Sequence, residues 1–212
     1  MSTDDLSQIQ SVYAATSVEA QEAAYDAWAQ EYERDLWATG YSIPGQVAAL
    51  FARFVDPSDG PFLDAGCGTG MQLEPLAAAG YGGFTGLDLS VGMLKVAEAK
   101  GTYDRLVQGA LGERLPFDDN AFAATLTCGT ITQGHAPPES FRDLIRVTRP
   151  GGFIIFTLRC DEGIDPAYNA ILRTLARESL WTQIYEGPPK PTMPYSEPEV
   201  QHKGWVFEVR KG

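Results

Sequence analysis

The chain has 212 residues, 44% of them apolar and 21% charged, a balance that fits one folded domain and argues against a disordered or membrane-embedded chain. Its 28 acidic residues against 16 basic ones give a net charge of −12. That charge disfavours nucleic acid and anionic membranes as partners, because binding to phosphate needs clustered Lys and Arg that release counterions, and it suits a neutral or cationic small molecule.

The first sixty residues read as helices. Thr16 and Glu19 have the spacing of a capping box, and Tyr25, Trp28, Tyr32 and Leu36 then fall at helical spacing on one face. Pro44 opens a second stripe of Val47, Leu50, Phe51 and Phe54, which ends at the turn signal Pro57-Ser58-Asp59-Gly60. From Pro61 onward short apolar runs at 62–65, 84–88, 106–108, 123–128 and 153–158 read as strands. Helical stretches lie between them at 71–79, 90–100 and 139–148, the last stopped by Pro150-Gly151-Gly152. Strand and helix in alternation imply parallel strands joined by right-handed crossovers. Asp165-Pro166 looks like a cap followed by proline at the first helical position, with a helix to about Leu180. The Pro-rich stretch 188–198 predicts a mobile loop or lid near the pocket mouth, and 205–209 a last strand. The expected fold is α/β: a Rossmann-like, doubly wound, seven-stranded and mostly parallel sheet with helices on both faces. Residues 1–60 would form a helical cap or lid and 61–212 the core.

Cys67, Cys128 and Cys160 cannot close a disulfide framework and show no CxxC spacing for zinc, so free thiols in a reducing compartment are expected. The N-terminal residues lack the basic start and apolar core of a signal peptide. No apolar run approaches the roughly 20 residues that span a bilayer. A cytoplasmic protein, monomeric or homodimeric, with no membrane or nucleic-acid partner and no metal, is the expectation.

The central feature is Phe62-Leu63-Asp64-Ala65-Gly66-Cys67-Gly68-Thr69-Gly70, an apolar strand running into a glycine-rich turn that opens a helix. Ligands of open α/β sheets sit beyond the carboxyl ends of strands at such turns, and glycine lets a ligand approach the main chain closely. The dinucleotide pattern Gly-x-Gly-x-x-Gly would place its third glycine at Met71, whereas the glycine stands at Gly70, which weakens a pyrophosphate reading. No Gly-Lys-Ser/Thr of a P-loop occurs. Asp88, at the end of the next strand, is placed to accept both ribose hydroxyls of an adenosine; hydrogen bonds to a charged acceptor are worth roughly 1.5–3 kcal/mol.

Asp64-x-Gly66-Cys67-Gly68-Thr69-Gly70, Asp88-Leu89-Ser90 with Met93-Leu94, Leu115-Pro116-Phe117 and Arg149-Pro150-Gly151-Gly152 together resemble the class I S-adenosylmethionine (SAM)-dependent methyltransferases over about residues 60–160. Tyr25-Asp26-x-Trp28-Ala29-x-x-Tyr32, Gly40-Tyr41 and Gly134-His135-x-Pro137 are similar to the methyltransferase-like proteins named for the Williams–Beuren syndrome region, a group poorly defined by substrate. The resemblance implies SAM as cofactor. Gly66, Gly68 and Gly70 would line its methionine and ribose part, and Asp64 would orient the loop or meet the ammonium through a water. Asp88 would hold the ribose hydroxyls, Leu89 and Met93 would cover the adenine faces, and Cys128 would border the cofactor at the end of the fourth strand. Many relatives carry an acid where Ala110-Leu111-Gly112 stands, so here the adenine edge would be read by backbone groups of Ala110 and Leu111.

Methyl transfer is an in-line displacement, and much of its acceleration can come from holding the two reactants about 3–3.5 Å apart. An alcohol or phenol acceptor needs a base, and histidine is the usual choice; a neutral amine acceptor needs no strong one. His135 follows the fourth strand and is the candidate base or substrate contact, whereas His202 reads as a surface residue. Arg159, ending the fifth strand, is a candidate anchor for an acidic or carbonyl group, or else a surface arginine in an ion pair. Tyr25, Trp28 and Tyr32 either pack on the core or form a lid over SAM, where a sulfonium gains roughly 0.5–2 kcal/mol from aromatic faces. Tyr25 and Tyr32 are candidates to hydrogen-bond the cofactor carboxylate or the acceptor, with Tyr25 a candidate catalytic group. The expected activity is methyl transfer to N or O of a small molecule. A non-catalytic SAM- or nucleoside-binding protein and a methyltransferase acting on a protein side chain stay open, and a dehydrogenase comes last because of Met71.

Overall fold

The computed structural model describes residues 12, 14, 15 and 17–210. Thr16 lies outside them, and the first helix, α1 (Val18–Trp28), is capped instead by Ser17, whose hydroxyl accepts from the Ala20 amide at 3.2 Å. α2 (Tyr32–Thr39) stops where Gly40 turns left-handed at φ 76° and returns its amide to Leu36 and Trp37. α3 (Ile43–Phe54) has Pro44 in its first turn, where a missing N–H is harmless.

The chain then alternates β1 (Phe62–Ala65), α4 (Leu73–Ala78), β2 (Phe84–Asp88), α5 (Val91–Lys100), β3 (Arg105–Gln108), β4 (Phe122–Thr127), α6 (Ser140–Val147) and β5 (Thr148–Arg159). It continues with α7 (Pro166–Arg177), β6 (Trp181–Glu186), β7 (Lys190–Met193) and β8 (Glu197–Val209). The strand order is β3-β2-β1-β4-β5-β8-β6, with β7 paired to β8 alone. β1 to β5 pair in parallel, and β8 runs antiparallel to β5, β6 and β7. This is the doubly wound α/β architecture the alternation predicts.

Three local expectations are corrected. The sheet has eight strands and not seven. The eighth, β7, comes from the Pro-rich stretch read as a loop; an edge strand with one neighbour tolerates Pro191, whose lost donor need not face a ladder. β6 escaped notice because, apart from Trp181, little of it is buried and its pattern does not alternate. β5 starts at Thr148, and Pro150-Gly151-Gly152 forms an irregularity within it: Phe122 pairs with Thr148 while Ala124 pairs with Phe153. Gly152 is held to glycine there, since a Cβ would lie 2.3 Å from the Ala123 carbonyl oxygen.

Alternate residues of β5 feed two apolar layers. Ile154 and Phe156 join Phe141, Trp181 and Phe207 under α6 and α7, and Ile155 joins Val47, Phe51 and Phe62 under α3. Burying each such large side chain fully is worth about 1.5–3 kcal/mol. A third, smaller cluster of Trp28, Leu36, Met71 and Met193 fixes α1 and α2 to the rest. β1 lies between β2 and β4, so the crossovers leave it in opposite directions and open a crevice beyond the strand ends. Among the described residues no helix is long and apolar enough to cross a membrane.

Candidate active site

The turn after β1 is built by three left-handed glycines, Gly66, Gly68 and Gly70, at φ 75°, 53° and 81°. A side chain at Gly66 would strike Thr130 at 2.4 Å and one at Gly70 the Tyr103 ring at 2.8 Å, whereas a Cβ on Gly68 would meet nothing. The first and third glycines therefore serve packing, and the second keeps space clear for a ligand. The amides of Gly66 and Cys67 both donate to the Leu87 carbonyl, at 2.7 and 2.9 Å, tying the turn to β2. Asp88 completes that tie: one carboxylate oxygen accepts from the Gly68 amide at 2.8 Å and the other from the Ser90 amide at 2.9 Å. Burial raises the Asp88 carboxyl above its ordinary range, against the pull of these amides.

Asp64 lies beneath the turn and is fully buried. Its Oδ2 accepts from Gln72 at 2.8 Å and from the Tyr103 hydroxyl at 2.7 Å, and Gln72 donates also to the Cys67 carbonyl. Burial pushes the Asp64 carboxyl up to about 7. The orienting role expected of Asp64 fits this geometry, and Asp64 is not itself among the residues that line the cavity above. Gln72 and Tyr103 carry no local signal that would have revealed them.

Above the turn is a cavity of about 310 Å3, within the ~300–1,000 Å3 range of small-molecule sites. Gly66, Gly68, Asp88, Leu89, Met93, Ala110, Leu111, Cys128, Tyr25, Tyr32 and His135 all border it, as the sequence suggests. Gly70 and Trp28 do not. The Trp28 indole is buried and donates to Asp35 at 2.9 Å, an acceptor presented by the next helix and invisible to the aromatic spacing. A carboxylate does stand at the wall where none was expected, from Glu113.

α1 closes the cavity and is fastened at several points. Gln21 donates to the Gly134 carbonyl at 2.7 Å, Gln108 donates to Glu22 at 2.9 Å, and Asp26 accepts from the Gly92 amide at 2.7 Å and the Ser90 hydroxyl at 2.5 Å. Asp26 thus caps the start of α5 from another element, and these bonds hold its carboxyl below the usual range. Gly92 permits the approach, since a Cβ there would lie 2.9 Å from the Asp26 Cα. The docked helix brings Tyr25 to His135, with the hydroxyl and Nε2 2.7 Å apart. Burial pushes the His135 imidazole down to about 4.

A second cavity of about 390 Å3 adjoins the first and shares Tyr25, Tyr32, Tyr41, Gly129 and His135 with it. Arg159 borders this second space and is paired to Asp161, its Nε 2.9 Å from both carboxylate oxygens. Of its two expected roles, the ion pair is the one observed. His202 is corrected from surface to interior: β8 places it across from Arg159, it is 7% exposed, and its Nδ1 bonds Thr192 of β7. Among the described residues no group of three or more His, Cys, Asp or Glu is arranged to hold a metal ion.

The donors fit a sulfonium nucleoside. A turn with open space at Gly68, an acid at the tip of β2 with lone pairs to spare, and apolar Leu89 and Met93 beside it match the methionine, ribose and adenine parts.

Residues 63–156 match the family model described as a methyltransferase domain. The fold and the turn agree with that match over the residues it spans, and SAM is the cofactor that such a turn and acid would hold. Among curated proteins the chain is 35% identical over 136 residues to the Homo sapiens Methyltransferase-like protein 27, covering 62% of this chain and 55% of that relative. It thus spans about half the relative's length. A TehB-like SAM-dependent methyltransferase from Corynebacterium glutamicum superposes with a TM-score of 0.64 at 20% identity, over 89% of this chain and 99% of that one. A chain of the Haloferax volcanii complex containing the Trm112 methyltransferase activator does so with 0.69 at 19%, over 90% and 98%. At such identities the likeness establishes the fold.

Proposed function

We propose that the protein transfers the methyl of SAM to a nitrogen or oxygen atom of a small molecule held in the second cavity. The observation that carries this reading is the junction of the two cavities at the hydrogen-bonded pair Tyr25–His135. When bound, SAM supplies a methyl on a sulfonium sulfur, and the acceptor's lone pair forms the new bond as the carbon–sulfur pair returns to sulfur, leaving a neutral thioether.

The chain's own residues do the rest. Asp88 would accept from the ribose hydroxyls, the Gly66–Gly68 backbone would hold the methionine part, Leu89 and Met93 would hold the adenine, and amides near Leu111 would read its edge. Tyr25 and Tyr32 close the site and exclude water. With His135 neutral, Nε2 accepts from the Tyr25 hydroxyl when Nδ1 holds the ring proton, and the Tyr25 oxygen can in turn accept a proton from the acceptor. A histidine this weakly basic suits an acceptor whose proton turns acidic only as the methyl is attached.

The deciding experiment is a metabolite screen for release of S-adenosylhomocysteine. Turnover with a small acceptor supports the proposal. Tight SAM binding with no turnover for any small acceptor leaves a binding protein in its place. A thermal shift precedes the screen: SAM at 100 times its Kd adds about 2.7 kcal/mol of stability.

A further inference from the structure

The second cavity carries its own chemical preference. It is walled by aromatic side chains, Trp28, Tyr25 and Tyr32 among them, and by the carboxylates of Glu197 and Glu199 at the start of β8. Arg159 faces it too, but its charge is matched by Asp161 at 2.8 Å. Neither glutamate has an ion-pair partner among the described residues. His202 borders the cavity as well: the residue is 7% exposed and its ring bonds Thr192 through Nδ1.

We propose, building on the acceptor role given above to this cavity, that it selects organic amines: the ammonium group is held by Glu197 and Glu199 with His202 at its side, and the apolar body lies on the aromatic wall. Electrostatics give the sign. Burial and the neighbouring Arg159 push His202 down to about 4, and His135 is held equally low, so both rings are uncharged near neutral pH. The wall is then net negative, within a chain of net charge −12. A carboxylate-bearing acceptor would meet like charge there. An ammonium gains charge-assisted hydrogen bonds and the faces of the aromatic rings. A molecule with a second N–H or O–H reaches Tyr25–His135 while its ammonium stays at the glutamates.

The test uses the full chain saturated with S-adenosylhomocysteine and three probes of matched size: 2-phenylethylamine, 2-phenylethanol and 3-phenylpropionate. Calorimetry is expected to show the amine binding about tenfold or more tighter than the alcohol, the value of one charge-assisted hydrogen bond, and the carboxylate weakest. The double variant Glu197→Gln/Glu199→Gln should erase the gap between amine and alcohol while leaving S-adenosylhomocysteine affinity as in the parent, which also verifies its fold. Should the amine show no advantage in the parent, or keep it in the double variant, the amine proposal falls and the methyltransferase reading stands. Should S-adenosylhomocysteine itself fail to bind, the reading beneath it falls as well.

Discussion

Asp88 does two jobs with one carboxylate. It braces the glycine turn through Gly68 and Ser90, and its remaining lone pairs face the cavity where a ribose would lie. Asp88→Ala is expected to weaken SAM binding about tenfold or more, at 1.4 kcal/mol per decade; calorimetry showing unchanged affinity would remove the ribose assignment. Tyr25 acts at the other end. Tyr25→Phe deletes the hydroxyl that meets His135 at 2.7 Å, and kcat should drop by roughly 100-fold or more if the pair moves a proton. SAM affinity should change less than about tenfold, the worth of one neutral hydrogen bond. A kcat equal to the parent's would assign the pair to packing.

Among the elements, α1 matters most for function, and its position rests on few contacts. Its mean burial is modest: of its residues only Trp28 is buried. Polar fasteners to Ser90, Gly92, Gly134 and Gln108 therefore carry much of its docking. Asp26→Ala removes the cap it places on α5, a change of about 0.5–2 kcal/mol by analogy with ordinary N-caps. Amide exchange in α1 should accelerate by roughly 3- to 30-fold while exchange in β4 and β5 stays put, and kcat/KM should fall with α1 loosened. Unaltered exchange would mean that the Trp28–Met71–Met193 cluster alone holds the helix. The spacing of Tyr25, Trp28 and Tyr32 marks this helix in the sequence, but it does not separate the two rings that border both cavities from Trp28, which borders only the second. That division depends on Asp35 taking the Trp28 indole.

The whole molecule balances opposed pH effects. His135 and His202 have folded values near 4 against an ordinary 6.5, so they contribute stability that is full above about pH 6.5 and lost as pH falls toward 4. Asp64 works the other way. Its folded value of about 7 against 3.8 gives a contribution that is full below about pH 3.8 and lost as pH rises through 7, up to roughly 4 kcal/mol. Asp64→Asn removes that loss and leaves both histidines in place. The difference in unfolding free energy between variant and parent should therefore shift toward the variant between pH 5 and pH 8. A pH-independent difference in chemical denaturation would show that Asp64 titrates at its ordinary value.

The local chemistry of the site was readable along the chain. A strand, a bend of three glycines and a helix are contiguous, and Asp88 follows one crossover later, so the pocket and the doubly wound sheet come from short-range pattern alone. Folding had to supply what depends on partners distant in sequence. The pairing of Tyr25 with His135 spans 110 residues, the cap from Asp26 onto Gly92 spans 66, and the support of Asp64 by Tyr103 spans 39. Side-chain period says which face of an element is apolar; it does not say which polar atom from another element will meet it. For the same reason the burial of His202, the neutralisation of Arg159 by Asp161 in a shared cavity, and the edge strand made from a proline-rich stretch became visible only once β8 was in place between β5 and β7.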